Sequence, residues 1–181
     1  DHRIPASARP FDVVAMDYCG PFLVKHGRKR EKRWLAVFSC TAYRCIDIQV
    51  VHSLKSDSFI MVLENFMNDN RRPRTLVLDN LPTYKGAEKE ISHMRAHGLL
   101  GEYSHQLSSK FPEVEFTYTP PYSPSQGGIF ETTIKLTKNA LATVIGDGLF
   151  DDEQLMNAVV KAKSFINSRP LVGISTDIKD H

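Results

Sequence analysis

The sequence predicts a mixed α/β domain: a five-stranded sheet, three antiparallel strands followed by parallel ones, with helices on both faces. Three observations predict it. Three apolar runs follow one another early in the chain with only short polar turns between them. Helical periodicity then alternates with short apolar runs, and two helical patterns close the chain. At 181 residues the chain has the size of one domain, large enough to bury a core without staples.

Taken in order, Asp1 to Pro10 is a polar arm, expected to lead in from a missing upstream region, and residues 11–181 are expected to form the domain itself. Asp12 to Asp17 is an apolar run carrying an acid at its end and bounded by Gly20-Pro21, the pattern of a mostly buried strand. Lys25 to Arg33 is a charged turn, and Trp34 to Thr41 a second strand. In Cys45 to Leu54, Ile46, Ile48 and Val50 alternate with Asp47 and Gln49, as in a half-exposed antiparallel strand.

Ser56 is the expected N-cap of a helix in which Phe59, Val62, Leu63 and Phe66 share a face, ending near Asn70. Thr75 to Asp79 is a strand that again ends in an acid. A helix is expected over Lys85 to His97, irregular or partly helical chain over Gly98 to Pro112, and a strand over Glu115 to Thr119. Pro120 to Gly128, rich in proline and glycine, is a loop delivering Glu131 into the first turn of a helix from about Ile129 to Ile145. Asp151 to Gln154 is a capping box for a last helix with Leu155, Val159, Ala162 and Ile166 on one face, suited to core or interface. This order is that of a ribonuclease-H-like fold, although order alone leaves other α/β folds open.

No apolar stretch is long enough for a membrane helix. Three cysteines without CxxC pairing argue against a disulfide scaffold and for a reducing compartment. The net charge of +2 by itself names no partner. His93 and His97 stand four apart, but without a CxxC nearby they read as a polar helix face.

The chemistry lies in the acids. If the strands ending in Asp17 and Asp79 are parallel neighbours, both carboxylates emerge at the carboxyl edge of the sheet, where open α/β sheets place their sites. Adjacent carboxylates repel unless a cation lies between them, and hard oxygens suit Mg²⁺ or Mn²⁺. A lone acid closing a strand is also simply a turn cap. Glu131, Lys135 and Lys138 fall on one helical stripe, with Phe130, Ile134 and Leu141 expected to pack inward on the opposite one. The charged stripe is either a metal ligand beside a phosphate track or a solvated ion pair. The basic run Lys25 to Arg33 is a second possible phosphate contact.

Asp17, Asp79-Asn80 and Pro121-Tyr122-Ser123-Pro124-x-Gln126-Gly127-Gly128-x-x-Glu131 together resemble the catalytic core of retroviral and LTR-retrotransposon integrases. Arg9-Pro10-Phe11 through Phe22, Pro120 to Glu131 and Ile166-Asn167-Ser168-Arg169-Pro170-Leu171 look nearest to elements of the Bel/Pao type. The resemblance implies a D,D,E triad of Asp17, Asp79 and Glu131 that is both catalytic and metal-binding, with Asn80 behind it. It also implies two Mg²⁺ or Mn²⁺ ions when substrate is bound, and DNA contacts from Tyr122, Ser123, Gln126, Lys135 and Lys138. The activity implied is 3′-end processing and strand transfer of retroelement DNA into target DNA, by a homodimer or larger multimer. The location implied is the nucleus, after a cytoplasmic particle, with no membrane association.

The interval from Asp79 to Glu131 is longer than in retroviral relatives, with the extra length placed around Gly98 to Pro112. Leu81-Pro82-Thr83-Tyr84 stands where the family usually has a Gly-[Ser/Thr]-Asn-Phe run. A domesticated or decayed core acting as a non-catalytic DNA- or protein-binding module is therefore the alternative. A DDE transposase or ribonuclease-H-type nuclease is another.

Overall fold

The computed structural model describes residues 9–78, 111, 113–118, 124–146, 148 and 150–169. The arm over residues 1–8, the helix expected over 85–97 and most of the irregular stretch after it lie outside the described residues. The strands are β1 (Val13–His26), β2 (Lys29–Cys40), β3 (Ile46–Val51), β4 (Thr75–Leu78) and β5 (Glu115–Tyr118). Three helices are described: α1 (Ser56–Asp69), α2 (Pro124–Ile145) and α3 (Asp152–Asn167). The sheet order is β3-β2-β1-β4-β5. β1 to β3 form the antiparallel meander, while β4 pairs parallel with both β1 and β5.

Side chains alternate across β2 and divide the core in two. Ala36 and Phe38 face α1, where Phe59, Val62, Leu63 and Phe66 join Val14 and Met16. Phe66 stacks on Phe38 with ring centres 4.2 Å apart and meets Phe11 edge-on. Leu35 and Val37 face the other way, onto Leu141 and Ile145 of α2 and Leu155, Val159, Ala162 and Ile166 of α3. Helices thus cover both faces, and the apolar stripe of α3 belongs to the core. Its capping box forms as expected: Gln154 N donates to Asp151 Oδ1 at 2.8 Å, and Asp151 N donates to Gln154 Oε1 at 3.1 Å.

Four boundaries differ from expectation. The charged turn over Lys25 to Arg33 is instead a long hairpin, with only Gly27-Arg28 between β1 and β2. Gly20-Pro21 does not end β1, because a register shift between Cys19 and Phe22 absorbs the proline. Gly20 has φ +122, and a side chain there would also press on the Arg33 carbonyl at 3.1 Å. Lys55 rather than Ser56 is the N-cap of α1, and no side chain caps it. α2 begins at Pro124, so the loop is shorter than expected, because proline is readily housed where a helix starts. Glu131 consequently lies beyond the first turn.

Asn167 explains one residue of the Ile166 to Leu171 segment. Its side-chain amide accepts from Ile46 N at 2.8 Å and donates to Ile46 O at 2.9 Å, standing in for a neighbouring strand on the outer edge of β3. Asn167→Ala should cost about 2 kcal/mol through two orphaned backbone groups, read as a lower urea midpoint at unchanged slope.

Candidate functional site

Asp17 lies inside β1, just past the stretch paired with β4, whose last residue, Leu78, is opposite Met16. Its side chain is 15% exposed. Oδ1 accepts from Tyr18 N at 2.7 Å, and Oδ2 accepts from Lys138 Nζ at 2.6 Å. A charge-assisted bond of that length, partly shielded from water, is a strong local interaction.

Lys138 reaches Asp17 because of its place on α2. Thr137, Leu141 and Ile145 are buried, Ile134 is half-buried, and Lys138, also half-buried, stands at the margin of that face. The charged stripe therefore flanks the apolar one instead of opposing it. Lys135, one turn earlier, is exposed to solvent. Glu131 stands on the same stripe two turns before Lys138, and Gln126 lies in the first turn; the backbone of both is helical, and their side chains lie outside the described residues. Asp79, Asn80, Tyr122 and Ser123 also lie outside them. Of the predicted site residues, the described side chains bring together Asp17 and Lys138. Among the described residues, no group of three or more His, Cys, Asp or Glu side chains gathers around one point.

Cys19 borders the pair. Burial pushes its thiol pKa upward; Lys138 draws it down and Asp17 pushes it up by smaller amounts.

Sequence reasoning missed where the basic hairpin is anchored. Arg33 is buried, and its guanidinium grips Asp152 at the start of α3 through Nε to Oδ1 at 2.7 Å and Nη2 to Oδ2 at 2.9 Å. It also donates to Glu31 at 2.9 Å, so Arg33 is withdrawn from any phosphate. Lys25, Arg28, Lys29, Arg30 and Lys32 remain exposed. The only sequence signal was an arginine at the foot of an apolar run, which does not name its partner.

The Arg33 hydrogen bonds hold the Asp152 carboxyl below the ordinary aspartate range. A depressed folded pKa contributes stability above that range, about pH 4, which is lost as pH falls through the lowered value. Arg33→Met should cost about 2 kcal/mol at pH 7, given that Asp152 is a third exposed. The gap between the two proteins should narrow as pH falls below the ordinary aspartate range. Urea melts across that range check both.

No protein-family model matches the chain, and no curated protein matches it. Solved structures do. A chain of the simian T-cell lymphotropic virus intasome, solved with PP2A regulatory subunit B56 gamma, aligns at TM-score 0.55 and 18% identity over 95% of this chain. This chain spans 59% of that one. The catalytic core of BIV integrase aligns at 0.56 and 19% identity over 91% of this chain and 88% of its own. The HTLV-2 integrase core in complex with magnesium, in its trimeric form, aligns at 0.56 and 16%, over 91% of this chain and 90% of its own. At these identities the likeness speaks for architecture: the chain has the ribonuclease-H-like fold of retroviral integrase catalytic cores.

Proposed function

We propose that this chain is the catalytic core of a DDE-type integrase, a polynucleotidyl transferase that trims the 3′ ends of retroelement DNA and joins them to target DNA. The Lys138 to Asp17 contact carries the reading. It docks the helix bearing Glu131 against the strand bearing Asp17, in a fold shared with integrase cores. β4 pairs Leu78 with Met16 and leads in the next residue to Asp79. Asp17, Asp79 and Glu131 are the proposed metal ligands, and Asn80 supports them.

The described part of the site suits a hard divalent ion, because Asp17 offers carboxylate oxygens already held by a cationic side chain that can move away. Mg²⁺ or Mn²⁺, two ions when DNA is present, would supply activation of the attacking oxygen and stabilisation of the departing 3′-oxygen. Lys138 holds the Asp17 charge in the meantime and then turns to the DNA backbone beside the exposed Lys135. Tyr122, Ser123 and Gln126 orient the DNA near the scissile phosphate. The magnesium of the HTLV-2 core supports the choice of ion, and its trimeric and dimeric forms support assembly of this chain with itself. The segments quoted above favour a Bel/Pao-type element, action in the nucleus, and residues 11–181 as the core behind an arm of residues 1–10.

A calorimetric Mn²⁺ titration tests the reading: heat should appear with the wild type and vanish with Asp17→Asn. One observation favours a second reading, a domesticated or decayed non-catalytic module: a lysine already occupies Asp17. No heat and no thermal stabilisation from Mn²⁺ would decide for it. Cleavage of an RNA–DNA hybrid without strand transfer would instead point to a ribonuclease-H-type nuclease.

A further inference from the structure

Cys40 and Cys45 close the turn between β2 and β3. Ser39 pairs with Ile46, and Cys40 N donates to Cys45 O at 2.8 Å, so the two cysteines stand opposite each other at the last rung. Side chains on such a rung share a face, about 5 Å apart at Cβ. The Cys40 sulfur lies in a ring of donors. Phe11 N donates to it at 3.2 Å and Tyr43 N at 3.4 Å, and Cys45 stands across the rung from it. Amides converging on a sulfur favour its thiolate as they favour any anion. Among the described residues, Cys19 meets the Gly20 amide, whose effect is the smallest of those acting on it.

We propose that Cys40 and Cys45 form a peroxide-reactive dithiol, a modification site separate from the carboxylates, in which Cys40 is the attacking sulfur and Cys45 the resolving one. The Cys40 thiolate attacks one oxygen of hydrogen peroxide, and the O–O bond breaks. The departing hydroxide takes a proton from solvent to leave as water, and Cys40 becomes a sulfenic acid. The Cys45 thiol then attacks the sulfenic sulfur, a second water leaves, and the S–S bond forms. Peroxide takes up the two electrons the thiols lose.

The donor set has a further effect. The Cys45 thiol above all, with the backbone amides, draws the Cys40 pKa below the ordinary cysteine range, which favours the thiolate. Burial raises the Cys19 pKa, making Cys19 a slower thiol within the same molecule. Cys40 itself is nearly sealed from solvent, which disfavours bulky reagents over a small oxidant.

The test treats the whole chain with limiting hydrogen peroxide in thiol-free buffer, then maps its peptides without reduction. The Cys40–Cys45 disulfide should form about tenfold ahead of any Cys19 oxidation and should reverse with dithiothreitol. In Cys45→Ser, verified as folded by circular dichroism, Cys40 should accumulate as a sulfenic acid, which dimedone added together with denaturant traps once the chain opens. Oxidation of Cys19 first, or an unmodified Cys40–Cys45 pair at peroxide levels that exhaust Cys19, would overturn the proposal. Since the mapping needs no metal or DNA, its outcome is independent of the integrase reading.

Discussion

Asp17→Asn should lower DNA cutting and joining in Mg²⁺ or Mn²⁺ by about a thousandfold, roughly 4 kcal/mol of transition-state stabilisation. The substitution keeps the shape of the side chain and removes the charge that a divalent ion would use. The fold should survive it: Lys138 is a third exposed and can turn to solvent, so stability should change by no more than about 1 kcal/mol. Glu131→Gln should behave alike. Lys138→Met gives the discriminating contrast, because it frees Asp17 of its internal cation. It should tighten Mn²⁺ binding in calorimetry while weakening DNA binding, whereas Asp17→Asn abolishes the heat. Asp17→Asn or Glu131→Gln proteins that still cut and join DNA at wild-type rates would sink the triad assignment.

The largest effect on stability is expected at Asp47. It stands between Ile46 and Ile48 on β3, fully buried, where the alternation called for an outward-facing residue. Gln49 and Asn70 donate to its Oδ2 at 3.0 and 3.1 Å. Its Oδ1 is met by the Lys163 ammonium of α3, in charge contact. Asp47 thereby joins β3, the end of α1 and α3. Lys163→Met should leave that carboxylate buried without its cation, at a cost of about 3 kcal/mol. For a chain of this size that lowers Tm by roughly 6–12 °C. Asp47→Asn combined with Lys163→Met should recover part of the loss, because the amide needs no counter-charge. Equal melting of Lys163→Met and wild type in urea would show that the pair adds nothing.

The elements readable in the sequence are those whose signals are local. The Asp151 to Gln154 capping box and the apolar stripe of α3 stand within a few residues of their effects, and both formed as expected. The alternation in β3 gave the strand but misplaced Asp47, whose partners Asn70 and Lys163 are remote in the chain. The β1–β2 hairpin was read as a turn because its outer part is exposed on both faces, leaving no apolar period to detect. At the site, Asp17 stood out as an acid in an apolar run. Its bond to Lys138 did not, since a helix wheel shows which residues share a stripe but not how that stripe is turned towards the sheet.

β1 is the middle strand of five, and Asp17 sits within it. From Val14 to Met16 the backbone is bonded to β2 on one side and β4 on the other, and Asp17 follows directly, still paired with Val37, so the amides leading into it should exchange with deuterium only when the whole domain unfolds. The carboxylate is therefore mounted on the steadiest part of the sheet. Any adjustment of the chemistry between related chains must come from the helix and loops brought up against it, with Asp17 as the fixed origin from which their displacements are measured.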